Sequence, residues 1–181
     1  MLGPTAVAIA RAGGLASSQR TRVGAIYDSD GKAQRELYAA NIAALISGAL
    51  ERALADGGAK PIRLDAKPAG NRPPSGTEFL LVCNVDQCEV NKRFDRQMTV
   101  HGQVFTMKAR VRLGCELIGA SGQTVWKGES VGAEDEPPKA VGGEIFLPLE
   151  TEPDESLSVA LSRAVGGLVL DAGLRRALAK R

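Results

Sequence analysis

Alternation of apolar and polar positions is strongest over residues 103–132. Val111, Leu113, Cys115 and Leu117 fall on one side of an extended chain, and Arg110, Arg112, Gly114 and Glu116 on the other. A period of two predicts a half-buried strand. Gly119-Ala120-Ser121-Gly122 tolerates the positive φ of a tight turn, and Val125, Trp126, Gly128 and Val131 lie on the returning arm, so a long hairpin is expected. Upstream, residues 5–12 and 23–28 read as two strands, the second ended by a turn at Asp28-Ser29-Asp30-Gly31. Over residues 35–56 the period lengthens. Tyr38, Ile42, Leu45, Ile46, Ala49 and Ala53 recur at three- and four-residue steps, the stripe of an amphipathic helix; Leu50 and Leu54 widen it and Gly57-Gly58 closes it.

Residues 61–65 fit a short strand, at a sheet edge because Pro61 has no N–H to donate. Proline and glycine fill residues 67–76, a loop. In residues 79–89, Phe79, Leu81, Cys83 and Val85 share one face, while Leu80 and Val82 make the first half apolar on both sides. That is the pattern of a central strand covered twice. Residues 91–96 read as a polar connection, and residues 133–143 as a loop around Glu134-Asp135-Glu136-Pro137-Pro138, followed by the apolar patch Ile145-Phe146-Leu147. A last helix is expected from about Glu152, with acids at its positive end and Leu157, Leu161, Ala164, Leu168 and Ala172 on its buried face. Gly166-Gly167 weakens it by about 1 kcal/mol per glycine, at a kink or a close backbone approach. Strands in sequence with helices near both ends predict an α+β fold: an antiparallel or mixed sheet with two main helices packed on one face. A single domain over residues 1–181 is expected, with mobile loops near 66–77 and 133–144.

Composition narrows the picture modestly. The chain has 181 residues, 44% hydrophobic and 24% charged, enough for one packed core. Its net charge of +2 gives no electrostatic case for nucleic acid. No apolar run approaches the roughly 20 residues that span a bilayer. Residues 5–10 are too short and lack the basic flank of a signal peptide. The protein is thus expected to be cytoplasmic, or a mature chain whose leader has been replaced by Met1. Three cysteines, Cys83, Cys88 and Cys115, are an odd number and match no zinc spacing. They read as buried small hydrophobes, with a Cys83–Cys115 or Cys88–Cys115 bridge open in an oxidising compartment.

Candidate chemistry is sparse. His101, the one histidine, has no nucleophile placed beside it by any motif. Glu134-Asp135-Glu136 and the acids around residues 150–155 read as a solvated loop and a helix start. Lys92, Arg93 and Arg96 with Phe94 between them form a basic and aromatic surface patch that could contact an anionic partner, set against a plain solvated connection. Trp126 is a packing residue of the hairpin that, if partly exposed, would anchor a partner. No catalytic, cofactor or metal residue is assigned.

Several of these segments together resemble bacterial envelope lipoproteins of the YajG type and, more distantly, the auxiliary lipoproteins of ABC transporters and LptE-like assembly factors. The matching pieces are Val23-Gly24-Ala25-Ile26-Tyr27-Asp28, the helix closed by Gly57-Gly58, the strand from Phe79, the spacing Leu117–Gly122–Trp126 and the terminal helix. The resemblance implies a non-catalytic periplasmic lipoprotein domain that binds an envelope protein as an adaptor or assembly and transport accessory. It implies neither cofactor nor nucleic acid, and outer-membrane anchoring through a lipidated leader absent from this chain. The contrasting expectations are a cytoplasmic small-molecule-binding or enzymatic α+β domain, and a cysteine-based redox or metal role.

Overall fold

A computed structural model describes residues 5–13, 21–99, 102–141 and 151–179. Its organising element is β5 (Phe79–Thr99), 21 residues long. One side of β5 pairs throughout with antiparallel β6 (Gly102–Gly119), which pairs in turn with β7 (Thr124–Val141). The other side is shared by two short parallel strands. β1 (Ala6–Ile9) lies along Phe79, Leu80 and Leu81, and β2 (Thr21–Tyr27) along Val90 to Arg93. Outside them lie β3 (Ala33–Ala39), antiparallel to β2, and β4 (Lys60–Arg63), parallel to β1. The sheet is therefore mixed. The helices α1 (Ile42–Asp56), α2 (Thr151–Leu170) and α3 (Ala172–Ala179) cover one face of it, giving the α+β fold expected.

One core joins that face to the helices. Val111, Leu113, Cys115 and Leu117 of β6 are all buried beneath them, as the alternation required. Ile46, Leu50 and Leu54 of α1 and Ala160, Ala164 and Leu168 of α2 close the core from above. A small second cluster, Ala8, Ala10, Leu80 and Ile118 with Leu64 and Val82 against it, covers the opposite face at the start of β5. Elsewhere that face carries the Arg112–Glu129 and Lys127–Glu116 ion pairs, each at 3.0 Å. Val125 and Val131 share that face and are about half exposed, because alternation on β7 turns Trp126, Gly128, Ser130 and Gly132 toward the helices instead.

Four expectations change. Residues 33–39 are strand, not the start of the helix. The Asp28 side chain accepts from the backbone N–H groups of Asp30 and Lys32, building a tight β2–β3 hairpin, and these bonds hold its carboxyl below the usual carboxylate range. Asn41, at φ 51°, separates strand from helix. Residues 91–96 are not a connection but the continuation of β5. Residues 133–141 are strand too: Pro137 and Pro138 are tolerated because β7 is an outer strand and they fall at a bulge, between Glu136 opposite Met107 and Lys139 opposite Phe105. Residues 142–144, and the apolar patch at 145–147, lie outside the described residues. Finally, the terminal helix breaks at Asp171 rather than at Gly166-Gly167, bending by 51° into α3. α2 approaches the sheet closely at Gly132, where a Cβ would lie 1.9 Å from the Ala160 carbonyl oxygen.

Candidate functional site

Cys83 and Cys115 face each other directly across β5 and β6, with Cα atoms 4.1 Å apart, and are joined by a disulfide. Both are buried at the centre of the helix-covered face. Cys88 is the remaining thiol and is also buried. Burial, and secondarily the Glu89 carboxylate, pushes it up to about 11. A thiol held neutral at physiological pH is a poor nucleophile and metal ligand.

The basic patch expected at residues 92–96 is divided between two faces. A one-residue bulge at Asp86 shifts the register between Val85 and Gln87. It changes which parity points inward, from Phe79, Leu81, Cys83 and Val85 to Cys88, Val90 and Lys92. Lys92 is consequently 1% exposed, with its Nζ 3.8 Å from the centroid of Phe105 and 5.6 Å from that of Phe94. The two rings meet edge-to-face at 6.2 Å. A desolvated ammonium over an aromatic face is worth about 2 kcal/mol, so Lys92 is held in the core and does not offer its charge to a partner. Arg93 points the other way, lining an open concavity of about 420 Å³ with Tyr27 and Lys108. The Arg96 side chain and His101 lie outside the described residues.

The acids of residues 134–136 are likewise split by strand alternation. Glu134 pairs with Arg163 of α2, Glu136 accepts from the Ser156 hydroxyl, and Asp135 is exposed. These contacts fasten α2 to β7. Among the described residues no three His, Cys, Asp or Glu side chains converge on a point.

Trp126 holds the helix bend. Its indole N–H donates to Asp171 Oδ1 at 2.9 Å, and the same oxygen accepts from the Leu174 backbone N–H at 2.7 Å. Asp171 is thus the N-cap of α3 and the tether of α3 to β7. Two glycines leave room for the ring: a Cβ at Gly128 would lie 2.3 Å from Trp126 Cζ2, and one at Gly173 3.0 Å from Cδ1. The half-buried Trp126 therefore packs within the fold. An aspartate directly before a helical stretch was the signal for this cap, hidden by reading one uninterrupted helix.

A groove missed in the sequence lies between α1 and α2. It encloses about 410 Å³, with Cys88 and Val111 as its floor. Leu45 and Ala49 form one wall, Leu157 and Leu161 the other, and Tyr38 closes an end. The buried side chains of α2 are Ser156, Ala160, Ala164, Val165, Leu168 and Val169, whereas Leu157 and Leu161 are half-buried, packed against the margin of the core and lining this groove. Leu45 remains 58% exposed at its lip.

No known protein family matches the sequence, and no curated protein does. Several solved structures are similar to this chain at low identity. A Xanthomonas campestris protein of the DUF330 family is 11% identical with a TM-score of 0.49, over 92% of this chain and 80% of that one. PelC of Paraburkholderia phytofirmans, a dodecamer, is 15% identical with a TM-score of 0.43, over 93% and 88%. A lipoprotein of Neisseria meningitidis is 12% identical with a TM-score of 0.39, over 74% and 85%.

Proposed function

We propose that this chain is a non-catalytic domain of the bacterial cell envelope that works in the periplasm by docking a protein partner. The observation that carries this reading is the buried Cys83–Cys115 disulfide between the two longest paired strands. Disulfides persist in oxidising compartments and are rare among structural elements of cytosolic proteins. A lipidated leader ahead of this sequence would hold the domain at the outer membrane. The docking element is β3, which among the described residues pairs with β2 alone and leaves its outer row of N–H and C=O groups open. Such an edge takes an extended segment of a partner by strand addition.

The test uses protein recovered from its native cells without reductant. Alkylation after denaturation is expected to label one cysteine, Cys88, in the periplasmic fraction. A photo-crosslinker at Gln34 on β3 is expected to trap an envelope protein where one at Lys127 on the opposite sheet face does not. Three alkylated cysteines in a cytosolic fraction would reject the compartment, and equal or absent cross-linking at the two positions would reject β3 as the docking edge. The disulfide closes a separation of 32 residues, for which loop entropy gives about 3–4 kcal/mol. Replacing both cysteines by serine should lower unfolding free energy by that order.

A further inference from the structure

We propose that the groove between α1 and α2 binds a free fatty acid, its acyl chain along the apolar walls and its carboxylate on Arg52. The volume of about 410 Å³ falls within the roughly 300–1,000 Å³ of small-molecule sites, which pair apolar walls with a few placed polar groups. The wall residues run along α1 from Ile42 to Arg52, ten positions or about 15 Å of helix. That is a slot for one extended chain rather than a compact ring system.

Charge sets the direction. Arg52 lines the groove, is exposed, and makes no ion pair within 4 Å among the described residues. Its neighbour Glu51 is engaged by Arg63 at 3.7 Å. A guanidinium at the mouth of an apolar slot suits a carboxylate, which it can grip through two parallel hydrogen bonds. The acid that also lines the groove, Asp154, sits at the other end. α1 runs from the end of β3 to the start of β4, and α2 runs back along β7 from Glu136 at Ser156 to Trp126 at Asp171. Both helices therefore run antiparallel to β5, placing Asp154 beside the start of α1 and Arg52 about three turns away. A carboxylate at Arg52 with its tail toward Tyr38 keeps the two anions apart.

A second protein copy fits less well. Stable protein interfaces bury about 1,200–2,000 Å². Of the large exposed apolar side chains among the described residues, Tyr38 and Leu45 adjoin the groove, while Ile62, Val125, Val131 and Leu170 do not line it. Two exposed apolar side chains make a small lip for such an area, whereas a volume of about 410 Å³ suits a single chain.

The experiment is a calorimetric titration of the disulfide-bonded chain with laurate below its micelle concentration, and with dodecanol as the uncharged counterpart. Laurate is expected to bind saturably, one per chain. Arg52→Glu should weaken laurate at least tenfold and leave dodecanol within twofold. Leu45→Ser, at a position that is 58% exposed, should weaken both while leaving the melting temperature within a few degrees. Absence of saturable laurate binding by the folded wild-type chain would overturn the proposal, as would equal effects of Arg52→Glu on the acid and the alcohol. A dimer in light scattering that Leu45→Ser dissociates would show instead that a second copy covers the groove. The result is independent of whether β3 docks a partner.

Discussion

Substitution of Gly132 by alanine tests the contact on which the helix layer rests. The added Cβ would lie 1.9 Å from the Ala160 carbonyl oxygen, 2.5 Å from the Ala164 nitrogen and 3.0 Å from the Ala160 carbonyl carbon. All three are backbone atoms of α2, so no side-chain rotation relieves the clash. Non-bonded heavy atoms want about 3.5 Å, so α2 must retreat from β7 by roughly 1.5 Å. A radial gap of about 0.5–1 Å already forfeits a quarter to a half of each dispersion contact, and here Ala160, Ala164, Val165 and Leu168 are all fully or nearly buried in the interface. Overpacking of this kind costs about 1–3 kcal/mol and more where backbone is the obstacle, so about 3 kcal/mol is expected. For a chain of this size that lowers the melting temperature by roughly 6–12 °C. Gly166, in the middle of α2, is the internal control: a Cβ there meets nothing within 4 Å, and Gly166→Ala should stabilise by about 0.5–1 kcal/mol through helix propensity. Urea unfolding followed by circular dichroism measures both. If Gly132→Ala changes stability by less than about 0.5 kcal/mol, α2 does not seat on β7 as described.

Two further outcomes follow from the tether and the thiol. Trp126→Phe keeps the ring but removes the donor to Asp171, and should cost about 1 kcal/mol, whereas Asp171→Ala also removes the cap of α3 and should cost about 2 kcal/mol; equal melting temperatures for the two variants would deny Asp171 its double role. Cys88 is raised from an ordinary value of 9.0 to about 11, so below pH 9 both folded and unfolded forms carry a neutral thiol and above it only the unfolded form ionises. Stability linked to this group is therefore lost as pH rises from about 9 to 11, by about 2–3 kcal/mol, and urea unfolding of Cys88→Ala should show a correspondingly shallower fall across that window; identical slopes for variant and wild type would refute it.

Local patterns carried the sheet's middle and lost its junctions. The β6 alternation, the Gly119–Gly122 turn and the edge position of Pro61 are each decided by period two, positive φ or a missing donor, and each is legible residue by residue. Residues 35–41 were not, because Tyr38 stands four residues before Ile42 and fits a helical stripe, while Leu37 and Ala39 fit a strand equally well. Pairing with β2 and the left-handed Asn41 decide between them. The bulge at Asp86 has no local signature, yet it reverses the facing of everything after it and takes Lys92 from the surface into the core. The groove was hidden for a similar reason: Leu157 and Leu161 are apolar at helical spacing, and only the seating of Ala160 on Gly132 shows that they meet the core at its margin and line the groove as well.

The long central strand has a consequence for how the chain matures. Both β1 and β2 pair with β5, and β5 with β6, so the pairs β2–β3 and β1–β4 cannot be joined into one sheet until more than half of the polypeptide has been made. Contacts of such high sequence separation form late and slowly. The hairpin of β2 and β3 and the helix α1 are built from neighbouring residues, but their place in the sheet is decided only when Phe79 and the residues after it arrive.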